Sequence, residues 1–564
     1  MRQSTTSGKR CGGTLALPAS GWDRGGSIPQ LAEDSGSASP GLSTIPAEGG
    51  TATAIGNRPT PVRRGISPRA LTRMGPPRRM SPAAISVWVA LVFGTLSLAL
   101  RFTPGYDPWT WALWGREIAH LDLSTVAGPA WKPLPVVLLA LASPLGLGAP
   151  AVWLVVARAG WVLAVLTVWR LTYRTVRCMA GPFTAVTAAG IAGIGLVLSV
   201  GFTGFLLPLA MSEPLLTAAV LLAVDYHARG RHGAGFVSLT VAALLRPEVW
   251  PILLASGVVV VRMTPRHRLR RSLLVSGVGV AVLALWYVPD WLGSGDLMRS
   301  VERAAIPTQG GPLLTQNPAL AVLGSAGQML PLPWMLAAGV TVFAAVCCLF
   351  RYVPRKATST RIVFLVTAVG LLWLGTQMLM TAAHRSSGEP RYLVVTTACA
   401  AVLAGVGVVL TPRLLAMAIG RVRRRPLSRS RWASTVHLAV LAASAGVMVS
   451  WGYVTAVPFG QKLKSDVHDA TLHTDVDLDV LRGLARAGGA DAVRRCGIPI
   501  TGPYQVPEIA FQLGLHLDEL GYDPARAGLV VAVPGWVESR RWPQTLGAEP
   551  IRAGTVTIWP TRPC

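Results

Sequence analysis

The chain has 564 residues, 51% of them hydrophobic and 14% charged, with a net charge of +26 and a mean hydropathy of +0.47. A soluble domain carries about 25% charged residues. Several apolar stretches here reach the roughly 20 residues that a membrane helix needs, so the composition excludes an ordinary soluble protein and points to a polytopic membrane protein. Such a positive charge would suggest nucleic acid in a soluble chain, but the arginines sit in short loops between apolar runs, as the positive-inside rule arranges them.

Residues 1–80 are rich in Gly, Ser, Pro and Thr and nearly devoid of aromatic residues. Such a segment cannot bury a core and is expected to be a disordered cytoplasmic tail; a start assigned too far upstream would produce the same tail. Arg63, Arg64, Arg69, Arg73, Arg78 and Arg79 precede the first expected span, near 82–101, and place its start in the cytoplasm.

The hydrophilic stretch 102–135 is then outside. It reads FTPGYDPWTWALWGREIAHLDLSTVAGPAWKPLP and holds Asp107, Arg116, Glu117, His120, Asp122 and Lys132 among Trp109, Trp111, Trp114 and Trp131. Tryptophan favours the membrane interface, and carboxylates held at that depth are costly unless something uses or pairs them. The pattern predicts a surface-lying amphipathic helix. Pro108 follows Asp107, so a purely structural reading makes Asp107 the N-cap with proline at the first helical position.

The run 134–147 is short and broken by Pro144 and glycines, which predicts a second surface helix; 150–172 is a full span ending in Arg170, Tyr173, Arg174 and Arg177. Counting 134–147 as a span would put those arginines outside, so the charges decide the matter. Further spans are expected near 182–200 and 212–228, then a short pair at 234–246 and 248–262 broken by Arg246-Pro247-Glu248, then 272–289, 332–350, 361–381, 391–411 and 434–456. That makes an all-α bundle of about eleven transmembrane helices at 81–456 with its C-terminus outside the cell membrane. Residues 457–564 alternate helical-looking segments with short apolar runs, as in a small extracytoplasmic α/β module. This module holds Cys496 and Cys564, which an oxidising compartment allows to form a disulfide.

Three polar clusters should share the outer side: Asp107 to Lys132, Ser212-Glu213, and the loop with His384, Arg385, Glu389 and Arg391. Arg246 and Glu248 lie near them at the turn between the short spans, where irregular backbone can line a polar cavity. Each has a bland alternative: an ion pair within the turn for Arg246 and Glu248, a snorkelling arginine for Arg391.

The order of these motifs resembles the polyprenyl-phosphate-dependent glycosyltransferases of the GT-C class, in particular the bacterial branch related to protein O-mannosyltransferases and aminoarabinose transferases. The resemblance covers roughly 82–411. It rests on Asp107 in GYDPW after the first span, Trp131-Lys132-Pro133-Leu134-Pro135 closing the loop, Arg158 in VVARAGW, Glu213 in MSEPLL, Arg246-Pro247-Glu248, and Arg391-Tyr392 ending a late loop. The second proline of the Lys-Pro-Pro-Leu motif is displaced to 135, and Glu213 stands where aspartate is more usual. The resemblance implies that Asp107 is a general base for an acceptor hydroxyl, which attacks the sugar C1 as the lipid phosphate leaves. It implies that Lys132, Arg158, Glu213, Arg246, Glu248, His384, Arg391 and Tyr392 bind substrate. The acceptor would be an envelope glycan, lipid or protein, and the sugar a hexose or pentose, mannose among them. Asp107 with Glu213 could hold a divalent metal, Mg or Mn, although nothing in the sequence requires one.

Two other readings stay open. A transporter or lipid flippase would also have many spans and a polar cavity, but no half-and-half repeat is evident, and the polar residues collect near one surface. A non-catalytic envelope-assembly scaffold would use the C-terminal module for binding and leave Asp107 idle.

Overall fold

A computed structural model describes residues 82–100, 102–263, 265–350, 358–422, 431–502, 504–520, 527–533 and 549–560. The expected tail, 1–80, and Cys564 lie outside these residues. The described chain is mostly helical, and its apolar helices make it a membrane protein.

Helix α1 (Pro82–Leu96) contains no charged residue, and α2 (Tyr106–Ala119) carries the tryptophans of the hydrophilic stretch. Next, α3 (Pro133–Ala142) is the short helix expected before the following span. A kinked turn at Ser143–Gly148, where Gly146 adopts φ 54°, separates it from the 32-residue α4 (Ala149–Ala180). Prolines open α3, α4, α5 (Pro182–Val197) and α6 (Glu213–Ala228). Their missing N–H falls where a helix leaves its first N–H groups unpaired anyway. The predicted short pair is α7 (His232–Ala243) and α8 (Trp250–Arg262), with Arg246 extended at the break between them.

Helix α9 (Arg268–Ser294) leads into the expected loop, which contains the short α10 (Arg299–Ala304). Helix α11 (Pro318–Gln328), not foreseen from the sequence, is bent by 107° against α12 (Leu332–Phe350). Then come α13 (Thr358–Ala382) and α14 (Val394–Val422). Among the described residues four helical segments are long and apolar enough to cross a membrane, or five if the bent pair counts as one. Other expected spans are shorter helices here, such as α6 with 16 residues and α8 with 13.

Helix α15 (Arg431–Arg486) is continuous for 56 residues, so the domain boundary expected at 456/457 falls inside a helix. Beyond it lie α16 (Gly489–Cys496), β1 (Ile498–Thr501), α17 (Val506–Leu513), β2 (Ala527–Ala532), β3 (Ile551–Ala553) and β4 (Val556–Pro560). The four strands form one sheet in the order β1-β2-β4-β3, with β1 parallel to β2 (Ile500 opposite Val530) and the other pairs antiparallel. Ile500, Val530, Val531 and Ile558 are fully buried in its core. Cys496 is half of a disulfide.

This sheet-bearing region packs directly on α2. The Arg116 guanidinium donates to the carbonyls of Phe511 (2.9 Å) and Leu515 (3.1 Å), where α17 ends and its last carbonyls lack helical partners. Trp109 packs on Phe511 with ring centroids 5.6 Å apart. Gly128, at φ +100°, lets Leu517 approach so closely that a Cβ there would lie 2.8 Å from it.

Candidate functional site

The site begins with the way α2 starts. Gly105 is the N-cap, in extended geometry (φ −77°, ψ −176°), held by its N–H donating to the Leu209 carbonyl at 3.0 Å. Asp107 is therefore the second residue of the helix and Pro108 the third, which corrects the expectation that Asp107 caps and proline comes first. No side chain caps this end. A carboxylate in a first turn is favoured by the helix dipole, and Asp107 Oδ2 lies 3.3 Å from Arg391 Nη1.

Arg391 stands in the turn Pro390–Leu393 before α14 and also meets Glu389, 2.5 Å away. Lys132, the last residue before α3, donates to Ser212 Oγ at 2.8 Å, lies 3.5 Å from Glu213, and sits 4.9 Å above the Trp111 ring. Arg246 reaches Glu213 at 3.2 Å and Glu248 at 2.9 Å, with Tyr392 stacked on its guanidinium at 3.7 Å. Gln377 of α13, missed from the sequence, donates to Glu248 at 3.0 Å. Six separated segments thus converge on one charged network.

The network borders open space. A cavity of about 410 Å³ is lined by Asp107, Lys132, Arg246, Glu248, Arg391 and Tyr392, together with Trp131, Arg303, Arg385 and Glu389. A second cavity, of about 490 Å³, lies against Asp107, Glu389 and Arg391 as well; its other walls come from Phe205, Leu209 and Met211 on one side and from His473 and Tyr504 on the other. Tyr106, Asp107, Glu389 and Arg391 line both.

The remaining expected residues stand differently. Glu213 is buried behind the first cavity as partner to Lys132 and Arg246. Arg158 does not line either cavity. Its guanidinium donates to the carbonyls of Ser97 (3.0 Å), Phe102 (3.2 Å) and Pro208 (3.2 Å), tying the end of α1 to the segments around it. His384 is exposed at φ 54°, outside both linings, and its neighbour Arg385 is the residue that faces the first cavity. No group of three His, Cys, Asp or Glu side chains among the described residues could share a metal ion. Asp107 and Glu213 are each already engaged by cations, so this pair does not fit the expected metal site.

Glu117, three turns along α2, belongs to a different contact. It is buried, accepts the Ser124 N–H at 3.1 Å, and lies 2.9 Å from His516 Nδ1; His516 Nε2 is 3.2 Å from Asp122. Burial pushes the Glu117 carboxyl up to about 7. Burial alone would lower His516, but its hydrogen bond and charge interaction with Glu117 raise it.

Fold and site together define a helical membrane protein with a net-cationic cavity around a carboxylate, joined to a small α/β region. No protein-family model matches the chain, and no curated protein matches it. Among solved structures the chain is similar to ArnT from Cupriavidus metallidurans in the apo state, at 17% identity over 85% of this chain and 97% of that one, with a TM-score of 0.44. It is similar also to the same protein bound to undecaprenyl phosphate, at 16% identity over the same shares, with a TM-score of 0.43.

Proposed function

We propose that the protein transfers a sugar from a polyprenyl-phosphate-linked donor to an acceptor hydroxyl, with Asp107 as general base. The observation that carries this reading is the position of Asp107 between two cavities, one cationic and one with an apolar wall. A group-transfer site needs two substrates to meet at one proton acceptor within hydrogen-bond reach. In the proposed step Asp107 takes the acceptor proton, the acceptor oxygen bonds to sugar C1, and the C1–O bond to phosphate breaks. Nearby cations balance the charge that grows on the departing phosphate. Arg391, 3.3 Å away, holds Asp107 in place until the acceptor arrives.

In this reading 81–456 is the membrane domain with about eleven crossings, 457–564 lies outside the cytoplasm with a Cys496–Cys564 disulfide, and the cavities face that same side of the cell membrane. The acceptor is an envelope glycan, lipid or protein, and the sugar a hexose or pentose. The test is transfer by membranes supplied with a panel of polyprenyl-phosphate sugars. Asp107→Asn keeps size and removes the base, so transfer should fall about 10²-fold or more while expression stays near wild type. A fully active Asp107→Asn protein would overturn the reading in favour of a transporter or scaffold.

A further inference from the structure

The joint between the sheet-bearing region and the start of α2 holds two carboxyls that the transfer step does not use: Asp477 on α15 and Glu508 in the first turn of α17. They are 0% and 1% exposed, and the two side chains meet. Thr103 Oγ1 donates to Asp477 Oδ2 at 2.6 Å, and His473 Nε2 lies 3.4 Å from the same oxygen. Among the described residues no N–H or hydroxyl bonds Asp477 Oδ1 or either oxygen of Glu508. No lysine or arginine there pairs with them either. Arg116 on α2 is engaged by the carbonyls of Phe511 and Leu515, Arg482 of α15 by Asp479, and Arg391 by Asp107 and Glu389. Arg494 on α16 stands beside Gly514, past the far end of α17.

Two ionised carboxylates buried side by side repel, and His473 offers at most one positive charge against them. One proton between the two side chains removes a negative charge and supplies the donor that their bare oxygens lack. Burial raises both carboxyls above their ordinary values; the charge of Asp477 pushes Glu508 further, and His473 opposes the rise at Asp477. The same pair is tied to the start of α2. Thr103 N–H donates to Thr474 Oγ1 at 3.1 Å, and His473 Nε2 lies 3.3 Å from the Pro104 carbonyl. Gly105 follows as the N-cap of α2, and Asp107 stands two residues further on. So α15 grips the chain immediately before the cap, and Glu508 braces Asp477 from α17.

We propose that Asp477 and Glu508 share one proton and act as positioning residues, clasping residues 103–105 so that Asp107 is held between the two cavities; this rests on the general-base reading above. When the proton leaves, the two carboxylates repel, α17 and α15 separate at this point, and the grip on Thr103 loosens. The open pair meets water and titrates as ordinary carboxyls do. The clasp is therefore fully closed below the ordinary values of 3.8 and 4.5, and it is lost as pH rises through the raised values of the pair. Between those limits opening releases one proton, so the open population grows about tenfold per pH unit.

The experiment follows amide hydrogen exchange of the segment 102–109 in the full-length protein in detergent, from about pH 6 to about pH 9, corrected for the base-catalysed exchange of free amides. Wild type, Glu508→Gln, Glu508→Ala and Glu117→Gln are compared. Protection in wild type should fall about tenfold per pH unit while the pair still holds its proton. Glu508→Gln donates to Asp477 without a shared proton and should abolish that slope. Glu117→Gln, at the other titrating contact of α2, should keep it. With a polyprenyl-phosphate sugar that wild type transfers, kcat should drop between about pH 7 and about pH 9 and drop less in Glu508→Gln. Glu508→Ala should lower kcat about tenfold at neutral pH and leave KM for the donor unchanged, as a misplaced base would. Equal exchange slopes in wild type and Glu508→Gln would overturn the shared proton. A slope abolished in Glu508→Gln without any change in its kcat profile would overturn the link to Asp107. Either result beside an inactive Asp107→Asn protein leaves glycosyl transfer standing, whereas a fully active Asp107→Asn protein overturns that reading and the link to Asp107 together.

Discussion

Helix α6 carries two buried carboxylates twelve residues apart, about 18 Å along its axis, and each gathers cations. Glu213, at its start, meets Lys132 and Arg246 beside the first cavity. Asp225, near its end, is closed in by Arg170 and Arg229 at 2.6 Å each and by Arg174. The two clusters look alike in charge and burial. They differ in what lies next to them: the cavities that border the first do not reach the second. Buried charge by itself marks where a carboxylate is held; open volume beside it marks where a substrate can come.

That contrast can be broken most forcefully at Asp225. Asp225→Ala leaves three arginines converging on a site without an anion, and removing one side of a buried ionic cluster costs about 3–5 kcal/mol. The melting point in detergent should drop clearly, while transfer per folded molecule stays at wild-type level. Unchanged stability would mean that this cluster is not a structural one.

Arg158→Met is the next largest change. It removes the donor from three backbone carbonyls, which should cost about 2 kcal/mol and leave KM for the donor unaltered. A raised KM at normal stability would return Arg158 to the substrate-binding role that its motif suggested.

A smaller effect is expected at Glu117. Its folded pKa is raised above the unfolded value, and so is that of His516. The folded chain thus holds both protons more tightly than the unfolded one. Stability is fully present below about 4.5, the unfolded value for glutamate, and is lost as pH rises through about 7 for Glu117 and through the raised value of His516. Arg116, Asp122 and Glu519 act on the same pair and set its final charge. Melting points at pH 5 and pH 8 should fall with pH in wild type and fall less in Glu117→Gln; an equal fall in both would show that this contact does not titrate as inferred.

The gentlest probe concerns the two ends of the bundle. His384 and Arg231 are both exposed, and basic loops stay inside. In intact cells His384→Cys should react with an impermeant thiol reagent and Arg231→Cys should not. The opposite pattern would reverse the orientation and put the cavities on the cytoplasmic side.

Hydropathy and charge, read along the chain, were enough to assign the membrane character, the tryptophan-rich helix, the short helix before α4 and the break at Arg246-Pro247-Glu248. These are local properties: apolar length, proline position and a charged turn act within a few residues. The late Arg-Tyr loop and the Lys132 segment were likewise visible as polar islands in apolar sequence. What the local pattern did not carry was the destination of each side chain. Arg158 and Arg391 both stand near apolar runs, yet one is spent on backbone carbonyls and the other faces Asp107. Asp107 looked like a cap because Pro108 follows it; the carbonyl of Leu209, about a hundred residues away, moved the start of the helix to Gly105. Glu117 stood in the sequence as one more polar residue of the stretch 102–135, and its role came from His516 on a region that the sequence suggested was separate. Apolar length and turn chemistry are local free-energy terms and can be read from neighbours. Ion pairs and cavities depend on which distant segments the packed helices bring within a few ångströms, and only the tertiary structure decided that.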